Sequence, residues 1–268
     1  MERKNVYICM LAALLSCSDS VKVSRTLDAM PAIFPDYNGV VIPPNMAPLN
    51  FALDDQDAGS RAVFSFGGQQ FEVKGENGSI VIPPSKWKKL LESAAGDSIQ
   101  VTVQVKQGNE WVAYSPFAIR VAPEKVDSYL AYRLIDPGYE LWNKMGIYQR
   151  DLESYTQIPI IENKMSGNNC VNCHSFCMQD PNKMLFHMRE TFPGTILVDG
   201  DKIEKLNTKT KETISSLVYP SWHPSGKYVA FSVNTTKQAF HLNDRNRVEV
   251  YDEASDVVVY DVEKHEIV

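Results

Sequence analysis

Apolar and polar residues alternate in short stretches over most of this chain, so its dominant period is two and not 3.6. The longest such stretch is Ile99, Val101, Val103 and Val105, each separated by one polar residue. It predicts a strand with one face in a core and the other toward water. Val63 to Ser65 and Gln69 to Val73 predict a hairpin around Gly67-Gly68, and Ser79 to Ile82 a further strand. Trp111 to Val121 predicts one or two strands bent at Pro116. Upstream, Val40 to Ile42 and Leu49 to Leu53 are short strands punctuated by Pro43, Pro44 and Pro48. One stretch has a helical period: Pro84 and Ser85 open it, Trp87, Leu90 and Leu91 share a face, and Gly96 ends it. Short strands separated by turn signals over residues 39–122 predict an immunoglobulin-like β-sandwich.

Residues 123–268 alternate as well. Tyr129 to Ile135 and Gly146 to Leu152 predict strands, with a turn at Pro137-Gly138. Met184 to Met188 and Thr195 to Val198 follow, and Asp199-Gly200-Asp201 is a hairpin turn into Lys202 to Leu206. The stretch Tyr219-Pro220-Ser221-Trp222-His223-Pro224-Ser225-Gly226-Lys227-Tyr228-Val229-Ala230-Phe231-Ser232 closely resembles the P-x-W-S-P-D-G-K-x-I-A-F repeat of TolB-type, WD40-like β-propellers. His223 stands at the usual serine and Ser225 at the usual aspartate. In such a repeat Trp222 packs between blades, Pro224 to Gly226 turns the chain, and Tyr228 to Phe231 alternates inward and outward. Arg247 to Tyr251 and Val257 to Val262 supply the outer strands. Leu217–Val268 is therefore one expected blade. A second spans about 129–207, with a segment near 160–190 inserted. Propellers close from roughly four to eight blades, and two would leave an open edge strand. The expected fold is thus predominantly all-β, a sandwich followed by an incomplete propeller, and the chain reads as a piece of a longer one.

The N-terminus has a different pattern. Arg3 and Lys4 precede an apolar run, Val6 to Leu15, of about ten residues, too short to span a bilayer and suited to a signal-peptide core. The run ends in Leu14-Leu15-Ser16-Cys17, which resembles the lipobox of bacterial lipoproteins. That resemblance implies a signal peptide at 1–16 and lipidation of Cys17. A lipid anchor and linker over 17–38 would then attach the protein to membrane lipid without spanning it. The competing reading is an ordinary secreted precursor. At 44 % hydrophobic and 22 % charged, the composition belongs to a folded chain. A net charge of −6 with no basic run argues against nucleic acid as a partner.

The most specific chemistry is Cys170-Val171-Asn172-Cys173-His174, of the form C-x-x-C-H, the attachment signal for c-type haem. Two thiols at this spacing can add to the two vinyl groups of one haem. The histidine directly after the second then ligates the iron. Cys170 and Cys173 are accordingly the candidates for covalent haem, and His174 for the proximal iron ligand. Two other uses compete: a redox disulfide, whose usual βαβ setting is missing here, and a zinc site completed by Cys177. With haem or with a disulfide at the first two thiols, Cys177 stays a lone thiol. For a distal ligand the candidates are His187, preferred, and Met178, Met184 and Met188. His187 and Met188 must face opposite ways on a strand. Arg189 shares the His187 face and suits a haem propionate, and His223 suits a turn cap.

Taken together the chain resembles bacterial cell-envelope lipoproteins with a sandwich-like N-terminal part, one C-x-x-C-H and a TolB-like propeller. The resemblance rests on Ile42 to Phe51, Tyr132 to Glu140, Met145 to Arg150, Cys170 to Phe176 and the repeat at Trp222. It implies a haem-binding envelope protein, with covalent haem c, and no established reaction. A single haem in a lipoprotein most simply transfers electrons, here with an envelope or redox partner protein, and no catalytic residue is assigned. The alternative is a non-redox scaffold lipoprotein whose C-x-x-C is structural. A peroxidase-like enzyme is a weaker third.

Overall fold

The computed structural model describes residues 22–54, 59–135, 144–245 and 248–268. The expected signal peptide, Cys17 and the turn at Pro137-Gly138 lie outside the described residues. The chain is mostly strand and divides into two compact units, one ending at Val126 and the other running from Asp127 to Val268. None of its sheets closes into a barrel among the described residues.

The first unit contains β1 (Val23–Thr26), β2 (Ile33–Phe34), β3 (Val41–Ile42), β4 (Phe51–Leu53), β5 (Ser60–Phe66), β6 (Gln69–Lys74) and β7 (Ser79–Ile80). Helix α1 (Pro84–Ala94) follows, then β8 (Ser98–Gln107), β9 (Glu110–Ala113) and β10 (Phe117–Val121). The alternating stretch β8 is the spine. One of its edges pairs with β5, and the other is shared by β9 and β10. The partner strand is split where Pro116, lacking an N–H, cannot continue the ladder. Strands β1 and β3 extend this sheet in parallel along β9 and β10, and β6 adds to β5. A small second sheet, β2-β4-β7, contributes Phe51, Leu53 and Ile80 to the same core. The apolar stripe of α1, Trp87, Leu90, Leu91 and Ala94, is buried there as well. Proline at the first helical position has no N–H to leave unpaired, which suits the helix start.

Of the linker expected over residues 17–38, the part from Val23 onward is not a free tether. Residues 23–26 form β1 and residues 33–34 pair with β4. Leu27 N donates to Ala113 O and Ser115 N to Ala29 O, so backbone hydrogen bonds fix this segment. Its side chains are mostly exposed, which is why hydrophobic periodicity carries no sign of it.

The second unit is built from three consecutive antiparallel meanders. The first is β11 (Tyr129–Ile135), β12 (Met145–Asp151) and β13 (Gln157–Glu162). The second is β14 (Cys170–Phe176), β15 (Lys183–Arg189), β16 (Gly194–Asp199) and β17 (Lys202–Leu206). The third is β18 (Val218–Trp222), β19 (Tyr228–Phe240), β20 (Val248–Asp261) and β21 (Glu266–Ile267). The middle sheet lies between the other two, and the period of two in β15 serves both sides. Met184, Phe186 and Met188 pack with Met145 and Ile147 of β12. Leu185 packs with Leu217, Val229 and Phe231 of the third meander.

Three expectations change here. The cysteine segment is not an insertion in a blade spanning 129–207; it is the first strand of its own sheet, and that span holds two sheets. Val171 and Phe176 give β14 its apolar contacts, while a break in its alternation hides it from pattern reading. Strand β13 is new; it contains Pro159, which an edge strand tolerates. The two outer strands expected at 247–251 and 257–262 are one strand, β20, paired with β19 from Tyr228 to Phe240. The polar run Asp252 to Asp256 reads as a break in sequence, yet it continues the ladder with both faces exposed.

Candidate functional site

Strand β14 is an edge strand, with β15 on one side. Its register runs Val171 opposite Met188 and Asn172 opposite His187, then resumes with Ser175 opposite Leu185. Cys173 and His174 therefore both stand opposite Phe186, which is a β-bulge. Cys173 takes φ 53°, a left-handed backbone costly for a non-glycine residue, on the order of 1–3 kcal/mol. In an unbroken strand, residues three apart point to opposite faces, so Cys170 and Cys173 would be separated by the sheet. The bulge lifts that constraint, because it kinks the strand and re-aims the side chains at the slip.

The three described cysteines are free; Cys170 and Cys173 are half-buried and Cys177 is buried. Burial pushes the Cys170 thiol up, Arg189 opposes this, Cys173 is close enough to add to it, and Arg133 pulls it down. Cys170 is thus a protonated thiol near neutral pH, with two guanidinium groups around it. His174 is held below its ordinary value, chiefly by burial. The backbone carbonyl of Ala131 on β11 opposes this lowering, and Arg133 adds to it. The ring meets Phe176 edge-on, with centroids 6.3 Å apart. A neutral imidazole offers one ring nitrogen as a lone pair. Arg133 itself is anchored, donating to Asn172 Oδ1 at 3.0 Å.

The groups that a covalently held haem would use are present on this strand: two free, half-buried thiols, a histidine directly after them whose proton affinity burial lowers, and Arg133 and Arg189 nearby. A zinc site completed by Cys177 does not fit. Cys177 is buried, and a side-chain atom added at Gly226 would meet its sulfur at 3.2 Å. Among the described residues no group of three His, Cys, Asp or Glu is placed to hold a metal ion.

His187, the expected distal ligand, lies on the side of β15 that meets the third meander. It is 2 % exposed, and its Nδ1 lies 3.2 Å from Thr195 Oγ1, which in turn donates to Leu217 O. His187 thus faces the third meander, whereas His174 reaches β11 of the first. Burial, helped by Arg189, pushes His187 down to about 4. Met184 and Met188 are core residues on the other face of β15, and Met178 is exposed in a short turn. His223 caps its turn: Ser225 N donates to Nδ1 at 3.2 Å, and Ser225 Oγ is 2.8 Å away. Trp222 donates from Nε1 to Ser175 O at 3.1 Å, tying the third meander to the strand that carries the cysteines. Sequence reasoning passed over Ala131 and Arg133, which complete the surroundings of His174. Nothing in their local pattern marks them, since they arrive from a different sheet.

No family model matches the chain, and no curated protein matches it. Among solved structures, a chain of a 1.5-MDa bacterial ice-binding adhesin aligns over 90 % of this chain and 96 % of its own, at 10 % identity and a TM-score of 0.25. That score is too low for the likeness to carry an argument.

Proposed function

We propose that this protein is a lipid-anchored cell-envelope c-type haem protein that passes electrons to or from an envelope partner. The observation that carries the reading is the contiguous Cys170-x-x-Cys173-His174 on an edge strand, with both thiols free and partly exposed and the imidazole neutral. Cys170 and Cys173 would hold the group through thioethers, and His174 would ligate its iron. When bound, haem supplies one-electron transfer. The residues around it have definite tasks. Phe176 packs edge-on against the His174 ring, and Arg133 and Arg189 neutralise carboxylates beside the strand. Anchoring is assigned to Cys17 through the lipobox-like Leu14 to Cys17.

The finer architecture belongs to the same reading. The second unit is taken as a run of propeller-type blades, supported by three successive meanders that share cores face to face. The first unit is taken as an immunoglobulin-like sandwich, supported by two sheets that contribute to one core. The test is expression with a cytochrome c maturation system, followed by intact mass and a pyridine haemochrome spectrum. A mass increase of one haem, abolished by Cys170→Ala with Cys173→Ala, is expected. An unmodified mass from a maturation-competent host rejects the haem and leaves a scaffold lipoprotein.

A further inference from the structure

The second unit also contains a cleft of about 460 Å³, bounded by His187 and Arg189 of β15, the approach to β18, and the β19–β20 ribbon. That volume suits a small ligand. Its wall on the ribbon is polar: Asn234, Thr236 and Gln238 stand two apart along β19, with Asp252 paired to Thr236 and Val250 to Gln238.

The deepest polar group is His187, 2 % exposed. Its Nδ1 lies 3.2 Å from Thr195 Oγ1, which is also in reach of Thr208 Oγ1 and Leu217 O. The ring lines the cleft, and its Nε2 has no hydrogen-bond partner among the described residues. A ring nitrogen placed so is open to one hydrogen bond with a ligand hydroxyl, which can donate or accept.

The rest of the lining narrows the ligand. Arg189, Glu190 and Asp252 all line the cleft, so it has no excess of positive charge to select an anion. No trio of ligating side chains there suits a metal ion among the described residues. Amides, hydroxyls and opposed charges suit hydroxyl groups, which both donate and accept. At the mouth, Tyr219 is 63 % exposed, its backbone at φ 52° where β18 slips register between Val218 and Ser221. A strained backbone that presents an aromatic ring beside a polar cleft offers a flat surface for C–H faces.

We propose that this cleft binds a neutral saccharide of about one or two hexose rings, with a ligand hydroxyl hydrogen-bonded to His187 Nε2. Apart from Arg189, which borders both, the site is independent of the haem proposal, and its test needs no haem.

The test uses the full chain and saturation-transfer-difference NMR with calorimetry against glucose, N-acetylglucosamine, maltose and cellobiose, with phosphate and citrate as anionic controls. At least one saccharide is expected to bind. Gln238→Ala and Tyr219→Ala change exposed residues, so folding should persist in both, as a thermal melt would verify. Each should weaken saccharide binding about fivefold, as the loss of one neutral contact predicts. His187→Gln should weaken it as well. If none of the four saccharides binds, or binding is unchanged in the Tyr219→Ala, Gln238→Ala double variant, the proposal is wrong. Binding of the anions alone also overturns it.

Discussion

The two units solve the burial problem in different ways. The first gathers one core around β8 and α1, with Trp87, Phe64 and Ile80 at 1 % exposure or less. The second divides its apolar residues into two smaller cores, one on each side of the middle sheet. Chemistry follows this division. All five histidines and the three described cysteines lie in the second unit. Polar groups buried in the first unit serve structure: Arg61 is held by Gln104 at 2.7 Å and Glu72 at 2.8 Å, and stacks on Trp111. In the second unit His187 lines a cleft and Cys170 is half-buried beside two arginines; among the described residues the buried polar side-chain atoms without a hydrogen-bond partner are Ser60 Oγ in the first unit and Asp261 Oδ2 in the second. A sheet that packs on both faces must divide its apolar positions, and its edges and ends are then left for polar and reactive groups.

Removing the keystone of the first unit gives the largest expected effect on this contrast. Trp87 meets Phe64 edge-on at 6.0 Å and donates from Nε1 to Met46 O at 3.1 Å. Trp87→Ala should cost about 3–5 kcal/mol, measured by urea unfolding, because it leaves a large cavity and an unpaired carbonyl. A loss under about 1 kcal/mol would mean that the core closes without it.

The second effect belongs to the second unit and depends on pH. His187 is pushed from 6.5 to about 4 in the folded state. As pH falls below 6.5 the unfolded chain takes up a proton on this residue and the folded chain does not, so stability drops, and the drop is complete near pH 4. The full loss is about 3 kcal/mol. His174, also lowered, acts in the same direction. Unfolding measured from pH 7.5 to 4 should show a flatter profile for His187→Gln than for the parent chain. Identical slopes would remove His187 from the account.

The smallest effect tests the turn beneath Trp222. Gly226 has φ 69°, and a β-carbon there would lie 3.2 Å from the Cys177 sulfur. Gly226→Ala should destabilise by about 1–2 kcal/mol, through backbone strain and crowding. Adding Cys177→Ser should recover part of this. No recovery would assign the whole cost to the backbone.

Much of this was legible from residues alone. Strict alternation placed β8, the hairpin around Gly67-Gly68, the strands flanking Asp199-Gly200-Asp201, and the turn at His223, because a strand half in a core must write its burial into the sequence. The helix was legible from Trp87, Leu90 and Leu91 for the same reason. Strand β1 and the middle of β20, Asp252 to Asp256, were not, since they are held by backbone hydrogen bonds with side chains in water, and such pairing leaves no hydrophobic trace; β13 has Ile160 and Ile161 against a core but is hidden by Pro159. The form C-x-x-C-H was likewise written in the chain, but its bulge, the Ala131 and Arg133 neighbours and the half-buried thiols came only from bringing β11 against β14. His187 shows the difference most plainly. Sequence separation put it near His174, whereas the ladder turned it toward Thr195 and Leu217, because neighbouring residues of a strand point to opposite faces and the two faces of this sheet have different partners.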